Sequence, residues 1–483
     1  MSADLLPAEI IRAYDIRGLV PVEIDETVAQ RIGFAFGRWL QQQGATSAVV
    51  GHDTRASSPN LYAAAIEGLL SAGLDVDAAG LAPTPVVGWT IDRLGAGGGL
   101  VVTASHNPPQ FNGFKLIGSE AAPLLPDEIA AVAHLVEADL PALTPARGKR
   151  TEIDAVAPYL DLLAQRFNHA GGLRVGVDPG NGATCLNGPR ALQSAGASVH
   201  VLHGVPRAGA PNHNADPQDP ETMRQLARAV RTLGLDCGIA WDGDGDRIGV
   251  LDHLGRRYEA DWLTAVLARP LLDLQAGASI LLDRKTSTSA AEYITAHGGR
   301  PLFERTGYSF VRRRMRAEQI AFAGETSGHI IFGPDYRPGE HYPWLDDGVY
   351  AACALADLLA RSGLSLAEHF AEIRPQPISP EFRLPCADIR KAAIAQAIGD
   401  HFAEQPGTEI DRSDGSRISF ANGWAHARPS NTAPVLSLRF ETDDEATYQQ
   451  IAEQLLAILA RYPEVEETER LSAPPIVGPQ WLD

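Results

Sequence analysis

An apolar run that stops at an aspartate recurs three times along the chain. Ala48–Asp53 (AVVGHD) is followed by a stretch with helical spacing, SPNLYAAAIEGLLSAG, closed by Gly73, and then by extended LDVDAAG. Leu173–Asp178 (LRVGVD) leads to PRALQSAG, closed at Gly196, and to ASVHVLHG. Ser279–Asp283 (SILLD) leads to SAAEYITAHGG and then to RPLFERTG. Strand, polar turn, helix, glycine stop and strand make a βαβ unit. Three such units, about 100 residues apart, predict three related α/β domains.

The last quarter has a different pattern. DIRKAAIAQAIGDHFAEQ and DEATYQQIAEQLLAILARY carry helical periodicity, and SRISFANGWAHARPSNTAPVLSLRFET alternates as strands around a loop. An α+β unit of another kind is expected there. Breaks fall at the proline-rich, basic Pro141–Arg150, near Gly255 and at Arg374–Pro385. The expected domains are therefore 1–150, 151–255, 256–373 and 374–483. The tail, SAPPIVGPQWLD, has no usable periodicity.

Composition adds exclusions. At 483 residues, 45% apolar and 21% charged, the chain has material for several buried cores. No apolar run nears the ~18 residues of a membrane helix, and the start lacks a basic-then-apolar signal, so cytoplasmic residence is expected. Cys185, Cys237, Cys353 and Cys386 are scattered without a C-x-x-C pair, as befits buried thiols in a reducing compartment. A net charge of −19 argues against nucleic-acid and anionic-membrane partners. An anionic ligand would need a local basic cluster. No obligatory protein partner is implied, and a monomer is expected.

The strongest chemical signal is CGIAWDGDGDRIGVLD, Cys237–Asp252. Asp242, Asp244 and Asp246 alternate with glycines between two apolar strand-like runs. Unpaired, three such carboxylates repel. A hard divalent cation, magnesium or calcium, resolves this, with glycines letting the backbone curl round it. An EF-hand is excluded: the positions that need glycine and glutamate hold Arg247 and His253, and the flanks are strands. Three carboxylates leave coordination positions for water and a phosphate oxygen.

A second signal is GLVVTASHNPPQFNGFK, Gly99–Lys115. Ser105 ends a strand, in a turn stiffened by Pro108 and Pro109. Asn112-Gly113 makes a further turn that brings Lys115 back towards the serine. No G-x-S-x-G elbow is present. The loop suits a serine that carries a phosphoryl group in a fixed place.

TASHNPPQFNGFK, DGDGDR, GETSGH and RPSNTAPVLSLRFE occur in the order and approximate spacing of the α-D-phosphohexomutase superfamily, and RAYDIRG (Arg12–Gly18) extends the match. The chain most closely resembles the bacterial phosphomannomutase/phosphoglucomutase branch. The resemblance implies an α/β fold: three related α/β domains plus a C-terminal α+β domain around a central active-site cleft. It also implies exchange of hexose 1-phosphate and hexose 6-phosphate, of mannose and/or glucose, through a phosphoserine at Ser105. A hexose 1,6-bisphosphate, also the activator, would reorient in the cleft. Mg²⁺ would be held by Asp242, Asp244, Asp246 and an oxygen on Ser105.

By the same resemblance, Arg428, Ser430, Asn431 and Thr432 would hold the non-reacting phosphate. Glu325 and Ser327 would bind sugar hydroxyls, with His329 contacting substrate or moving a proton. Tyr14 and Arg17 would line the reaction centre. Arg17 and Lys115 would stabilise charge and assist proton movement. Lys285 would lie near the substrate, Arg247 would orient the phosphoserine or a metal ligand, and His106 would tune the loop. Three departures stand out. Tyr308 in RTGYS occupies a position where histidine is usual, Pro429 replaces a small residue, and Phe332–Gly348 is longer and more aromatic, which is expected to alter closure of the cleft. The rivals are a glucose-specialised or glucosamine-directed mutase, a phosphosugar- or calcium-binding protein without turnover, and a phosphatase.

Overall fold

A computed structural model describes residues 10–137, 147–431 and 433–482. Thr432 and most of the Pro141–Arg150 linker lie outside the described residues. The chain forms four sheets. The first, in spatial order, is Ile16–Leu19, Phe111–Gly118, Gly98–Val102, Ser47–His52, Asp75–Leu81 and Arg150–Glu152. The second is Gln480–Trp481, Arg256–Arg257, Ile248–Asp252, Cys237–Trp241, Arg174–Asp178 and Ser198–Val201. The third is Arg300–Glu304, Ser279–Asp283, Phe322–Gly324, Ile330–Phe332 and Leu345–Asp346. The fourth is wholly antiparallel: Phe382–Pro385, Val435–Thr442, Gly423–Pro429, Ser416–Phe420 and Glu409–Asp411.

The first three sheets share one plan. Ser47–His52, Arg174–Asp178 and Ser279–Asp283 each pair in parallel with a strand on either side. Helices cross between these strands and bury apolar faces on the sheets; Ser58–Ser71, for example, buries Leu61, Ala65, Ile66 and Leu69. The chain then turns back antiparallel: Gly98–Val102 to Phe111–Gly118, Cys237–Trp241 to Ile248–Asp252, and Phe322–Gly324 to Ile330–Phe332. Those three hairpin turns carry Ser105, the aspartate triplet and Glu325–His329. The expected fold class, three related α/β units and a different fourth, is the one found.

Two features differ from expectation. The aromatic side chains of Phe332–Gly348 face inwards: Tyr336 and Tyr342 are buried, and their hydroxyls donate to Leu267 O and Asp347 Oδ2 at 2.8 and 2.5 Å. They build core. The tail leaves the fourth unit altogether. Gln480–Trp481 pairs with Arg256–Arg257, and Leu482 packs with Met223 and Leu226 of the second unit. All four cysteines are free, and no described helix is long and apolar enough to cross a membrane.

Candidate active site

Ser105 is held in left-handed backbone, φ 51°, a strained conformation for a residue with a Cβ. Its surroundings over-determine it. Its N–H donates to Thr103 Oγ1 at 2.8 Å, and that hydroxyl donates to Asp53 Oδ2 at 2.8 Å. Arg55, anchored on Asp53, donates to the carbonyls of Ser105, Asn107, Pro108 and Phe111 at 2.6–2.9 Å. The serine loop is thus gripped by one guanidinium on its backbone.

Ser105 Oγ donates to Asp242 Oδ2 at 2.5 Å. This close meeting of two loops needs Gly243, where a Cβ would stand 2.6 Å from Ser105 O. Asp242, Asp244 and Asp246 are fully buried, with ligand-capable oxygens within 4.8 Å of one another. Burial, then the neighbouring Asp244 and Asp246, push the Asp242 carboxyl well above the carboxylate range. Burial would raise Asp244 too, but the Lys115 ammonium and Thr84 hydroxyl, each 2.6 Å from Oδ2, hold it low. Lys115 also pairs with Asp246. Oδ1 of Asp244 and Oδ1 of Asp246 are buried without a partner. One ammonium among three carboxylates, with two orphaned oxygens, fits a divalent cation.

The third loop closes the ring. His329 Nδ1 lies 2.9 Å from Asp346 Oδ2, and His329 Nε2 accepts from Arg247 Nε at 3.1 Å. A guanidinium can only donate, so the Nε2 lone pair faces Arg247 and the ring proton sits on Nδ1. Tyr308 stacks on His329 at 5.5 Å, lies under Lys115 Nζ at 5.7 Å, and meets Tyr14 edge-on at 5.0 Å. Glu325 Oε1 accepts from Gly307 N at 2.7 Å, and burial, reinforced by Asp283, pushes its carboxyl up to about 7. Burial, with Glu325 and Asp15 adding, pushes the Tyr14 hydroxyl up to about 12.

Arg17 donates to Asn107 Oδ1 in the serine loop at 2.8 Å and to Asp15 Oδ2 at 2.6 Å. Lys285 Nζ donates to Glu381 Oε2 at 2.7 Å. Burial, then Arg247, Arg17 and Arg383, hold the His106 imidazole well below its usual range. These arginines make a local basic cluster within a strongly acidic chain.

The fourth unit faces the third. Arg428 is anchored through Nε to Asp414 at 3.1 Å, while its buried Nη2 has no partner. Asn431 Nδ2 donates to Thr306 O at 3.1 Å, and its carbonyl accepts from Ala13 N at 3.4 Å. Ser430 N donates to Val435 O at 3.0 Å, closing the loop turn. Ser327 lies half-buried in the third loop.

The expected residues therefore gather from all four units, with two adjustments. Lys115 reaches Asp244 and Asp246, where it offsets their charge, and not Ser105 itself. Lys285 is tied to the fourth unit by Glu381. Sequence reasoning missed Arg55, Thr84, Asp346, Glu381, Arg383 and Asp414. Their signal is spatial: Thr84 and Glu381 reach Asp244 and Lys285 from 160 and 96 positions away, and Arg383 acts on His106 through charge.

Three related α/β units and an antiparallel fourth bring a buried serine, an aspartate triplet and clustered arginines together, an arrangement suited to handling a phosphorylated ligand. Family models for phosphoglucomutase/phosphomannomutase alpha/beta/alpha domains I, II and III match residues 8–141, 157–255 and 259–376, and that for the C-terminal domain matches 381–458. The chain is 35% identical over 456 residues to a phosphomannomutase/phosphoglucomutase of Pseudomonas putida, covering 94% of this chain and 96% of that one. It is also 35% identical to a phosphohexose mutase of Xanthomonas campestris, covering 94% and 99%. A crystal structure of a phosphoglucomutase/phosphomannomutase family protein from Burkholderia thailandensis superimposes with a TM-score of 0.85 at 30% identity, covering 96% and 99%. The chain belongs to the phosphoglucomutase/phosphomannomutase family.

Proposed function

We propose that the chain interconverts hexose 1-phosphates and hexose 6-phosphates of mannose and/or glucose, with Ser105 as phosphoryl carrier. The observation that carries this is the 2.5 Å hydrogen bond between Ser105 Oγ and Asp242, which sets the hydroxyl on the aspartate loop of another unit. Asp242, Asp244 and Asp246 would hold Mg²⁺, which, when bound, offsets charge on the moving phosphoryl group. In the first half-reaction the bond from phosphorus to Ser105 Oγ breaks, and a bond to the free sugar hydroxyl forms. Arg17 and Arg247 bind and orient the transferring phosphoryl oxygens, while Lys115 offsets charge on Asp244 and Asp246. His329 Nε2 accepts the hydroxyl proton once Arg247 turns from it to the phosphoserine.

Arg428, Ser430, Asn431 and Thr432 hold the phosphate that is not reacting. Glu325 and Ser327 bind hydroxyls presented in both orientations. The hexose 1,6-bisphosphate reverses in the cleft, the Ser105 oxyanion left by the first transfer takes its other phosphoryl group, and the sugar oxygen released recovers the proton held by His329. Burial of Ser105, at 4% exposure, supports transfer to sugar over transfer to water. Free cysteines support a reducing, cytoplasmic setting.

A coupled assay with mannose, glucose and glucosamine 1-phosphates, primed with hexose 1,6-bisphosphate, tests the reading. Stoichiometric 6-phosphate with no inorganic phosphate is expected from mannose or glucose. Release of inorganic phosphate, or no turnover of any of the three, contradicts it.

A further inference from the structure

The central strand of each α/β unit leads to an aspartate: Asp53, Asp178 and Asp283. Asp53 is met by the hydroxyls of Ser58 and Thr103 at 2.5 and 2.8 Å and by Arg55. Asp283 is met by the hydroxyls of Thr286 and Thr326 at 3.0 and 2.9 Å. Asp178 is different. It faces two imidazoles, His203 Nδ1 and His213 Nε2, each 3.0 Å from Oδ2.

The other nitrogen of His213, Nδ1, lies 2.9 Å from the carbonyl oxygen of Asn214. A carbonyl only accepts, so Nδ1 carries a proton. The ring then either carries a second proton on Nε2, shared with the Asp178 carboxylate, or offers the Nε2 lone pair to a cation that takes that proton's place. A ring N–H placed on a backbone carbonyl, leaving the opposite nitrogen for an ion, is how ligating histidines are oriented. The three ligand atoms lie within 4.8 Å of one another, and the 3.0 Å separations approach the ~3.3 Å edges of a tetrahedron with ~2.0–2.1 Å bonds. Asp178 is 1% exposed, whereas the histidine side chains are 12% and 16% exposed, which leaves an approach for an ion.

We propose that Asp178, His203 and His213 form a second divalent-cation site, separate from the aspartate triplet and suited to zinc. Two imidazoles and one carboxylate match a borderline ion, whereas the all-oxygen triplet matches magnesium. The fourth position is left to water. The ion takes the place of the protons otherwise lying between ring nitrogens and carboxylate. Its role is positioning. It ties the segment from His203 to His213 to the end of the Arg174–Asp178 strand, and the next residue, Asn214, donates through Nδ2 to His106 O in the serine loop at 2.6 Å. His203 is left-handed, φ 44°, a conformation that a ligand bond would help to hold.

The test is equilibrium dialysis of the full chain against zinc in excess magnesium, with bound metal read by plasma mass spectrometry. One zinc per chain is expected. His203→Gln and His213→Gln should each weaken retention by about 10- to 100-fold, and Asp242→Asn should leave it unchanged. Cobalt substitution should give tetrahedral d–d bands that both histidine variants lose. Three results overturn the proposal: no zinc kept by the wild type, equal retention by the folded double histidine variant, or loss of zinc in Asp242→Asn. Should the histidine variants fail to fold by circular dichroism, anomalous scattering at the zinc edge from wild-type crystals decides: a peak between Asp178 and the two rings supports the site, and its absence refutes it.

Discussion

Ser105 Oγ and Asp242 Oδ2 are 137 positions apart in the chain and 2.5 Å apart in space. Each sits in the first hairpin turn after the parallel core of its own sheet, and Glu325 and His329 occupy the matching turn of the third. Repetition of one fold unit therefore places Ser105, the aspartate triplet and the Glu325–His329 turn at equivalent sites that face one another. The fourth unit adds the turn that carries Arg428 and Asn431.

Arg55 grips the backbone of the serine loop through four carbonyls. Arg55→Lys keeps the charge but loses the fork that reaches four carbonyls. We expect kcat to fall by about 10- to 100-fold, with KM changed far less. Steady-state kinetics of the lysine and alanine variants check this; a fall confined to KM would mean that the clamp does not set the serine.

Arg428 offers an unpartnered Nη2 beside the Asn431 turn. Arg428→Ala should raise KM for phosphosugar about 10- to 100-fold, the scale of a lost charged hydrogen bond. Metal affinity should be unchanged. Titration calorimetry with magnesium, beside the kinetics, separates the two.

The same comparison shows what the sequence made legible. The three βαβ units could be read because each apolar run ends on an aspartate and each helix on a glycine. The serine and aspartate loops could be read because their residues are contiguous. Thr84, which donates to Asp244 from 160 positions away, could not. Nor could the Gln480–Trp481 strand, since two residues have no period of their own and become a strand only through Arg256–Arg257. The burial of the aromatic run Phe332–Gly348 could not be read either, since its partners, Leu267 and Asp347 among them, are set by the fold.

Glu325 gives a pH signature. Its carboxyl is raised to about 7, so between its ordinary value and 7 the folded state binds more protons than the unfolded state. Stability contributed by the neutral carboxyl is present at low pH and lost as pH rises through 7, a change on the order of 3 kcal/mol. Glu325→Gln keeps an acceptor for Gly307 N. Thermal melts between pH 5 and 8 should show a smaller decline for this variant than for the wild type. An identical slope would mean that Glu325 is ionised throughout.

Chelation should stop turnover without unfolding the chain. Lys115 already offsets part of the triplet charge through Asp244 and Asp246. Circular dichroism in excess EDTA is expected to keep its native shape, and added magnesium should restore activity. Lys115→Met should instead make the fold depend on the divalent ion.

The central claim is that Ser105 lends and recovers the phosphoryl group. Enzyme labelled with radioactive phosphate, mixed with unlabelled glucose 1-phosphate, should pass its label to hexose bisphosphate and then to hexose 6-phosphate. Ser105→Ala should take up no label and lose activity by roughly 10³-fold or more. Label that stays on the protein through many turnovers, or leaves as inorganic phosphate, would contradict the account.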